Sequence, residues 1–235
     1  MASRRVGLFS HAVLVLPFVV VLAAGSPGGE PARATTATKA AVSPVKEPPS
    51  LAKGIGAYKA GNLDEAIAAF EQAVQEEPRH AFSHQYLARA YYEKKRYADA
   101  VKIAKETAAL DPKSARNFRT LGLALMATGD LKAAVEAFSK SADVEPKNYW
   151  TQNDLGYALF QLGRNDEAVK ALERAVQADG SKAMTWNTLG VARLRSGNRA
   201  GAVEAFKKAL QLDPGYAKAK AGLAAAESQP APKPR

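Results

Sequence analysis

Cysteine is absent from the 235-residue chain. That absence removes disulfides, thiol chemistry and lipid attachment at a lipoprotein cysteine, and leaves apolar contact between elements to hold the fold. Histidine is scarce, at 3 residues. His80 and His84 lie four apart and share a helix face, but the glutamate of a zinc-hydrolase helix is missing and no third ligand is evident. His84 therefore reads as a packing residue. There is no glycine-rich phosphate loop and no serine nucleophile motif, so neither an enzyme nor a cofactor is expected. Charge of one sign is missing as well. The formal net charge is +10, falling to +8 without Arg4 and Arg5, yet residues 51 to 227 carry 26 basic and 21 acidic side chains, interspersed as on a solvated helical surface. Without a basic stripe, no nucleic-acid partner is expected, and attraction to a membrane surface is modest.

What the chain does have is a strict period. Gly54, Ala88, Gly122, Gly156 and Gly190 fall 34 residues apart, as do Ala66, Ala100, Ala134, Ala168 and Ala202. Pro78, Pro112, Pro146 and Pro214 keep the same register. Self-similarity at this period describes a stack of supersecondary units with no single closed core. In the third unit, Phe118, Leu121 and Leu125 mark one amphipathic helix, with Gly122 inside its apolar face. Gly129 is placed to end that helix in the left-handed conformation. Leu131, Ala134, Val135 and Phe138 mark a second helix, with Ala134 expected opposite Gly122, and Pro146 stops it.

Each unit is thus a helix, a turn, an antiparallel helix and a break. The pattern resembles the tetratricopeptide repeat family. Trp186, Leu189, Gly190, Ala202, Phe206, Ala209 and Pro214 match its positions in the fifth unit, and Leu87, Ala88, Tyr91, Tyr97, Ala100 and Pro112 do so in the second. The resemblance implies an all-α fold, a right-handed α-solenoid of units at 47–80, 81–114, 115–148, 149–182 and 183–216, followed by a capping helix over 217–227. Departures are informative. The first unit has Ser50 and Lys53 in place of an aromatic and a leucine, and Ser50 is a candidate N-cap. The fourth has Gln152 at the aromatic position and Gly180 in place of proline, which predicts a pliable junction. The capping helix is expected to turn Ala221 and Leu223 inward.

The N-terminus has Arg4-Arg5, an apolar run from Val6 to Ala24 and then small residues. This is the layout of a secretory signal over 1–25, with Ala32-Arg33-Ala34 a second cleavage candidate. The lead is too short for a twin-arginine signal. The run is also nearly long enough to span a bilayer, so an uncleaved membrane anchor stays open beside the cleaved signal. Either way the expectation is export, to a bacterial periplasm or cell envelope. Residues 26–46 read as a disordered Pro/Ala/Thr-rich tether and 228–235 as a Pro-rich tail.

In the family, the first helix of each unit lines a concave groove. Its variable positions are the second, fifth, ninth, twelfth and thirteenth, and these carry over to Tyr58 in the first unit and to Gln85, Arg89 and Tyr92 in the second. The third unit adds Arg116, Arg119 and Met126. Trp150, Asn153 and Tyr157 come from the fourth, Asn187 and Arg195 from the fifth. Aromatic, Met, Arg and Asn side chains dominate protein interfaces, whereas a merely solvated face would carry Glu and Lys. Phe160, Leu194 and Trp150 are also open to a packing role between repeats. Arg89, Arg116 and Arg119 are placed to converge on a carboxylate, or Arg89 to pair with Glu93 one turn on. Asn153 and Asn187 are expected side by side, each holding one peptide group of an extended ligand. The carboxylate clamp of chaperone-binding members is absent, its positions holding Gln85, Arg89, Thr120, Trp150 and Asp154. The implied function is a non-catalytic scaffold binding a protein or peptide partner in the groove. The alternative is a structural subunit of an envelope assembly such as pilus, secretion or outer-membrane machinery, acting by self-association.

Overall fold

A computed structural model describes residues 46–228. The signal or anchor segment at 1–25, nearly all of the tether at 26–46 and the tail beyond Ser228 lie outside the described residues. Among the described residues there are eleven helices and no strand, an all-α solenoid. They are α1 (Pro49–Lys59), α2 (Leu63–Glu76), α3 (Ala81–Glu93), α4 (Tyr97–Leu110), α5 (Ala115–Ala127) and α6 (Leu131–Val144). They continue as α7 (Tyr149–Gln161), α8 (Asn165–Ala178), α9 (Ala183–Arg195), α10 (Arg199–Leu212) and α11 (Ala217–Ser228). None of these helices is long and apolar enough to cross a membrane.

Two breaks alternate along the chain. Each odd helix from α1 to α9 ends in a left-handed residue, with φ of +84° at Gly61, +87° at Gly129, +75° at Gly163 and +83° at Gly197. The amide that follows the left-handed residue then reaches back, as Asp130 N does to Leu125 O at 3.0 Å, closing the C-terminal cap. The second unit makes the same turn with Lys95 at φ +62°, where glycine stands in the other four. The even helices end instead in a residue with strongly negative φ, such as Asp111 at −136° or Asp213 at −141°, which proline follows in all but α8, where Gly180 follows Asp179. Ser50 does not cap α1, contrary to expectation. Pro48 is the N-cap, Pro49 occupies the first turn where a missing amide costs nothing, and Ser50 is buried with its N and Oγ donating to the Glu76 carboxylate at 3.1 and 2.7 Å.

The small residue at the eighth position of each unit has a defined task. A Cβ on Gly54, Gly122, Gly156 or Gly190 would lie 2.5 to 2.7 Å from Phe70, Phe138, Leu172 or Phe206, all fully buried. The side chain nearest Gly122 is Phe138, one turn beyond the Ala134 that the period suggests, and both are fully buried. Two residues in the second unit, Ala88 and Ala104, stand at these same positions, and both are buried. The cap α11 also brings a glycine to this ring, since a Cβ on Gly222 would lie 2.5 Å from Phe206. α11 buries Ala219 and Ala226 and half-buries Leu223, while Ala221 is exposed rather than inward.

Every helix packs on the next in sequence. Beyond that, each odd helix touches the odd helix of the following unit, from α1·α3 through α9·α11, whereas no two even helices meet among the described elements. The odd helices are thus closer together, and they form the inner, concave wall of the array.

Candidate functional site

The inner wall carries the exposed large apolar side chains. Phe82, Trp150 and Met184 share the second position of their units and are 60, 55 and 60 % exposed, and Tyr157 at the ninth is 42 % exposed. On the even helices, the exposed large apolar residues among those described are Val144 and Leu212, one near each helix end. Further along the wall, Met126, Phe160 and Leu194 are half-buried, so both packing and access apply to them. The Arg195 guanidinium lies 4.5 Å from the Phe160 ring centre. Trp150 meets Tyr149 edge-on with centroids 5.0 Å apart and has the Arg119 guanidinium at 5.6 Å.

Arg89, Arg116 and Arg119 do line one cavity of about 590 Å³ between α3, α5 and α7, together with Gln85, Tyr92 and Trp150. They do not converge as three available cations. The Arg89 Nε donates to Glu93 Oε1 at 3.1 Å, one helical turn on, and the same oxygen accepts the Tyr58 hydroxyl. Arg89 also sits 5.3 Å above the Tyr58 ring. Arg119 donates through Nε to Asp154 Oδ2 at 2.7 Å, with the Asp154 side chain only 13 % exposed. Burial pushes the Asp154 carboxyl above its ordinary range, and the neighbouring Arg119 opposes that shift. Burial likewise raises the phenols of Tyr92 and Tyr58, the latter with help from the Glu93 carboxylate. Arg116 is exposed and joins no ion pair among the described residues.

The asparagines also differ from expectation. Asn153 Oδ1 accepts the Thr185 hydroxyl at 2.9 Å, and Thr185 pairs with the Tyr149 hydroxyl at 2.7 Å. Asn187 is buried, 8 % exposed, and its Oδ1 has no partner. The Asn153 oxygen is thus taken while its side chain stays half-buried, and Asn187 is largely closed off. Their positions belong to a polar seam between units, in which a fifth-position side chain meets the third position of the next unit. Gln85 Nε2 donates to Asn117 Oδ1 at 2.7 Å in the same register. For Asn187 the corresponding residue is Ala219, which has nothing to offer.

Two wall residues escaped the five variable positions. Tyr86 and Asp154 both occupy the sixth, one beside the cavity and one beneath Arg119. A signal for Asp154 exists in its opposite charge 35 residues after Arg119, one unit on. His80 caps α3 by accepting from Ser83 N, and His84 is buried with Nδ1 3.3 Å from His80 O. The fourth-position Gln152 and Trp186 each donate to the loop before their helix, at Pro146 O and Gly180 O, both at 2.8 Å. Trp186 thereby ties down the carbonyl of the glycine that replaces proline.

Models described as tetratricopeptide repeat match residues 57–121, 119–183 and 153–217. No curated protein matches the sequence. Among solved structures, a crystal structure of MamA is 25 % identical with a TM-score of 0.65, over 70 % of this chain and 96 % of that one. YrrB, described as a TPR protein with an unusual peptide-binding site, is 19 % identical with a TM-score of 0.67, over 75 and 91 % of the two chains. A thermophilic TPR protein of Thermus thermophilus, TTC0263, is 23 % identical with a TM-score of 0.55, over 77 and 99 %. The last two share the fold alone.

Proposed function

The chain belongs to the tetratricopeptide repeat family, a family of protein-interaction scaffolds, and from that premise we propose that its inner wall binds an extended or helical segment of a partner protein without turnover. One observation carries this reading. The exposed aromatic and thioether side chains Phe82, Trp150, Tyr157 and Met184 all lie on the odd helices, with Trp150 and Met184 at the same position of adjacent units. Such rings supply contact area at small entropic cost, the property of interface anchors. Trp150 sits centrally, flanked by Tyr149 and Arg119.

The place of action is the cell envelope in this proposal, supported by the Arg4-Arg5 lead and the apolar run to Ala24. Fusing residues 1–46 to a reporter enzyme active only outside the cytoplasm tests it, and an inactive fusion removes the envelope assignment.

Display of random peptides against the full-length protein tests the groove. Selected peptides should lose about tenfold or more in affinity on Trp150→Ala, the loss of one aromatic anchor. Peptides that bind Trp150→Ala and Phe82→Ala as well as the native protein would place recognition elsewhere. A fixed oligomer in light scattering that loses its size on Trp150→Ala would instead favour an assembly subunit built by self-association through the same wall.

A further inference from the structure

The polar side chains that line the 590 Å³ cavity are nearly all consumed by the fold. Glu93 accepts from Tyr58 and Arg89, and Glu145 accepts from Asn148 Nδ2 at 2.8 Å. Arg119 is held by Asp154, and the Gln85 amide donates to Asn117. The Thr120 hydroxyl donates to Arg116 O, and that of Thr151 pairs with Ser141. Arg89, Arg119 and Glu93 are therefore already in ion pairs, whereas Glu145 is exposed and has only the neutral Asn148 amide as a partner. The donors that remain without a side-chain partner among the described residues are the Arg116 guanidinium, the Trp150 indole N–H and the hydroxyls of Tyr86 and Tyr92. Burial keeps the Tyr92 phenol protonated, and hence a donor, beyond its ordinary range. The cavity thus offers mainly donors, among them the one guanidinium of its lining outside an ion pair, next to the exposed ring of Trp150.

From this accounting we infer that the cavity selects an acidic residue of the bound segment, its side-chain carboxylate seated on Arg116 and an adjacent apolar side chain on Trp150. The inference rests on the groove reading and adds the chemistry of the ligand. A ligand ammonium would find only Glu145 outside an ion pair, already accepting from Asn148, and would share the cavity with the Arg116 charge. A doubly charged phosphate would exceed the single cation left unpaired. A carboxylate matches it in charge and in the forked geometry of the guanidinium. The wall continues past the cavity in both directions, to α1 and to α9 and α11, so an internal residue of a through-running segment fits, with no need for a chain end.

The test uses the full chain and the tightest displayed peptide, synthesised with both ends blocked, in calorimetric titrations. Each Asp or Glu is exchanged for its amide in turn. One exchange should cost about tenfold on the native protein and nothing on Arg116→Ala, which itself binds the acidic peptide about tenfold more weakly. Circular dichroism of Arg116→Ala should match the native protein, because the side chain is exposed. Equal losses on both proteins, a requirement for a free C-terminal carboxylate, or selection of Lys/Arg-rich peptides would each overturn the inference. Those results leave Trp150-dependent binding intact. If no peptide depends on Trp150, the groove reading itself fails and this inference with it.

Discussion

Lys95 is the residue most at odds with its place. It occupies the left-handed turn that Gly61, Gly129, Gly163 and Gly197 make in the other units, at φ +62°. A side chain in this region costs about 1–2 kcal/mol, part of which glycine returns through the greater freedom of its unfolded chain. Lys95→Gly should therefore stabilise the protein by about 0.5–1 kcal/mol in urea unfolding. Ala219 marks a second gap, opposite the unpartnered Asn187 Oδ1. Ser83 is the buried third-position residue of the second unit, so a serine side chain has a precedent there. Ala219→Ser should gain about 1 kcal/mol if its hydroxyl reaches Asn187, and an unchanged melting temperature would show that it does not. Chemical identity was legible at this scale, but partnership was not. Asn153 and Asn187 were readable as neighbours, yet Thr185 at the third position claims the first and burial closes the second. Ser50 likewise looked like a cap because Glu76, 26 residues away, cannot be weighed from the sequence.

Between elements, the 34-residue period carries most of the information, since α3, α5, α7, α9 and α11 start at 81, 115, 149, 183 and 217. The small eighth position signalled close approach of two helices. It did not identify the side chain that fills the space, because side chains on a helix lean toward its N-terminus and shift the contact by a turn. The atoms nearest Gly122 belong to Phe138, one turn beyond Ala134, for that reason. The contrast between two helical glycines makes this measurable. Gly122→Ala puts a Cβ 2.6 Å from the Phe138 ring and should destabilise by about 1–3 kcal/mol. Gly56→Ala, in α1 with nothing within 4 Å, should stabilise by up to about 1 kcal/mol through helix propensity alone. Equal effects in chemical denaturation would remove close packing as the reason for the small residue.

At the scale of the whole molecule, each unit touches only its neighbours, so damage should stay local. Deleting residues 217–235 uncovers Phe206 and Ala209, both fully buried beside α11. Amide exchange should quicken in α9 and α10 and remain unchanged in α3 to α6. Uniform loss of protection would mean that the array unfolds as one unit. The succession of helices was legible from the repeat, and the inner wall followed from the family resemblance. The pairing of Arg89 with Glu93 was legible as well, one turn apart on α3, whereas that of Arg119 with Asp154 was not, because the two become partners only when successive units are laid side by side.

The even helices never meet one another, whereas the odd ones do. Each even helix is held only by the odd helices before and after it, so the softest deformation of the described array is a change in its radius of curvature, hinged along the inner wall. A segment spanning α3 to α7 draws that radius in or lets it out by its own length, which makes the breadth of the scattering envelope in solution a gauge of how well a ligand fits.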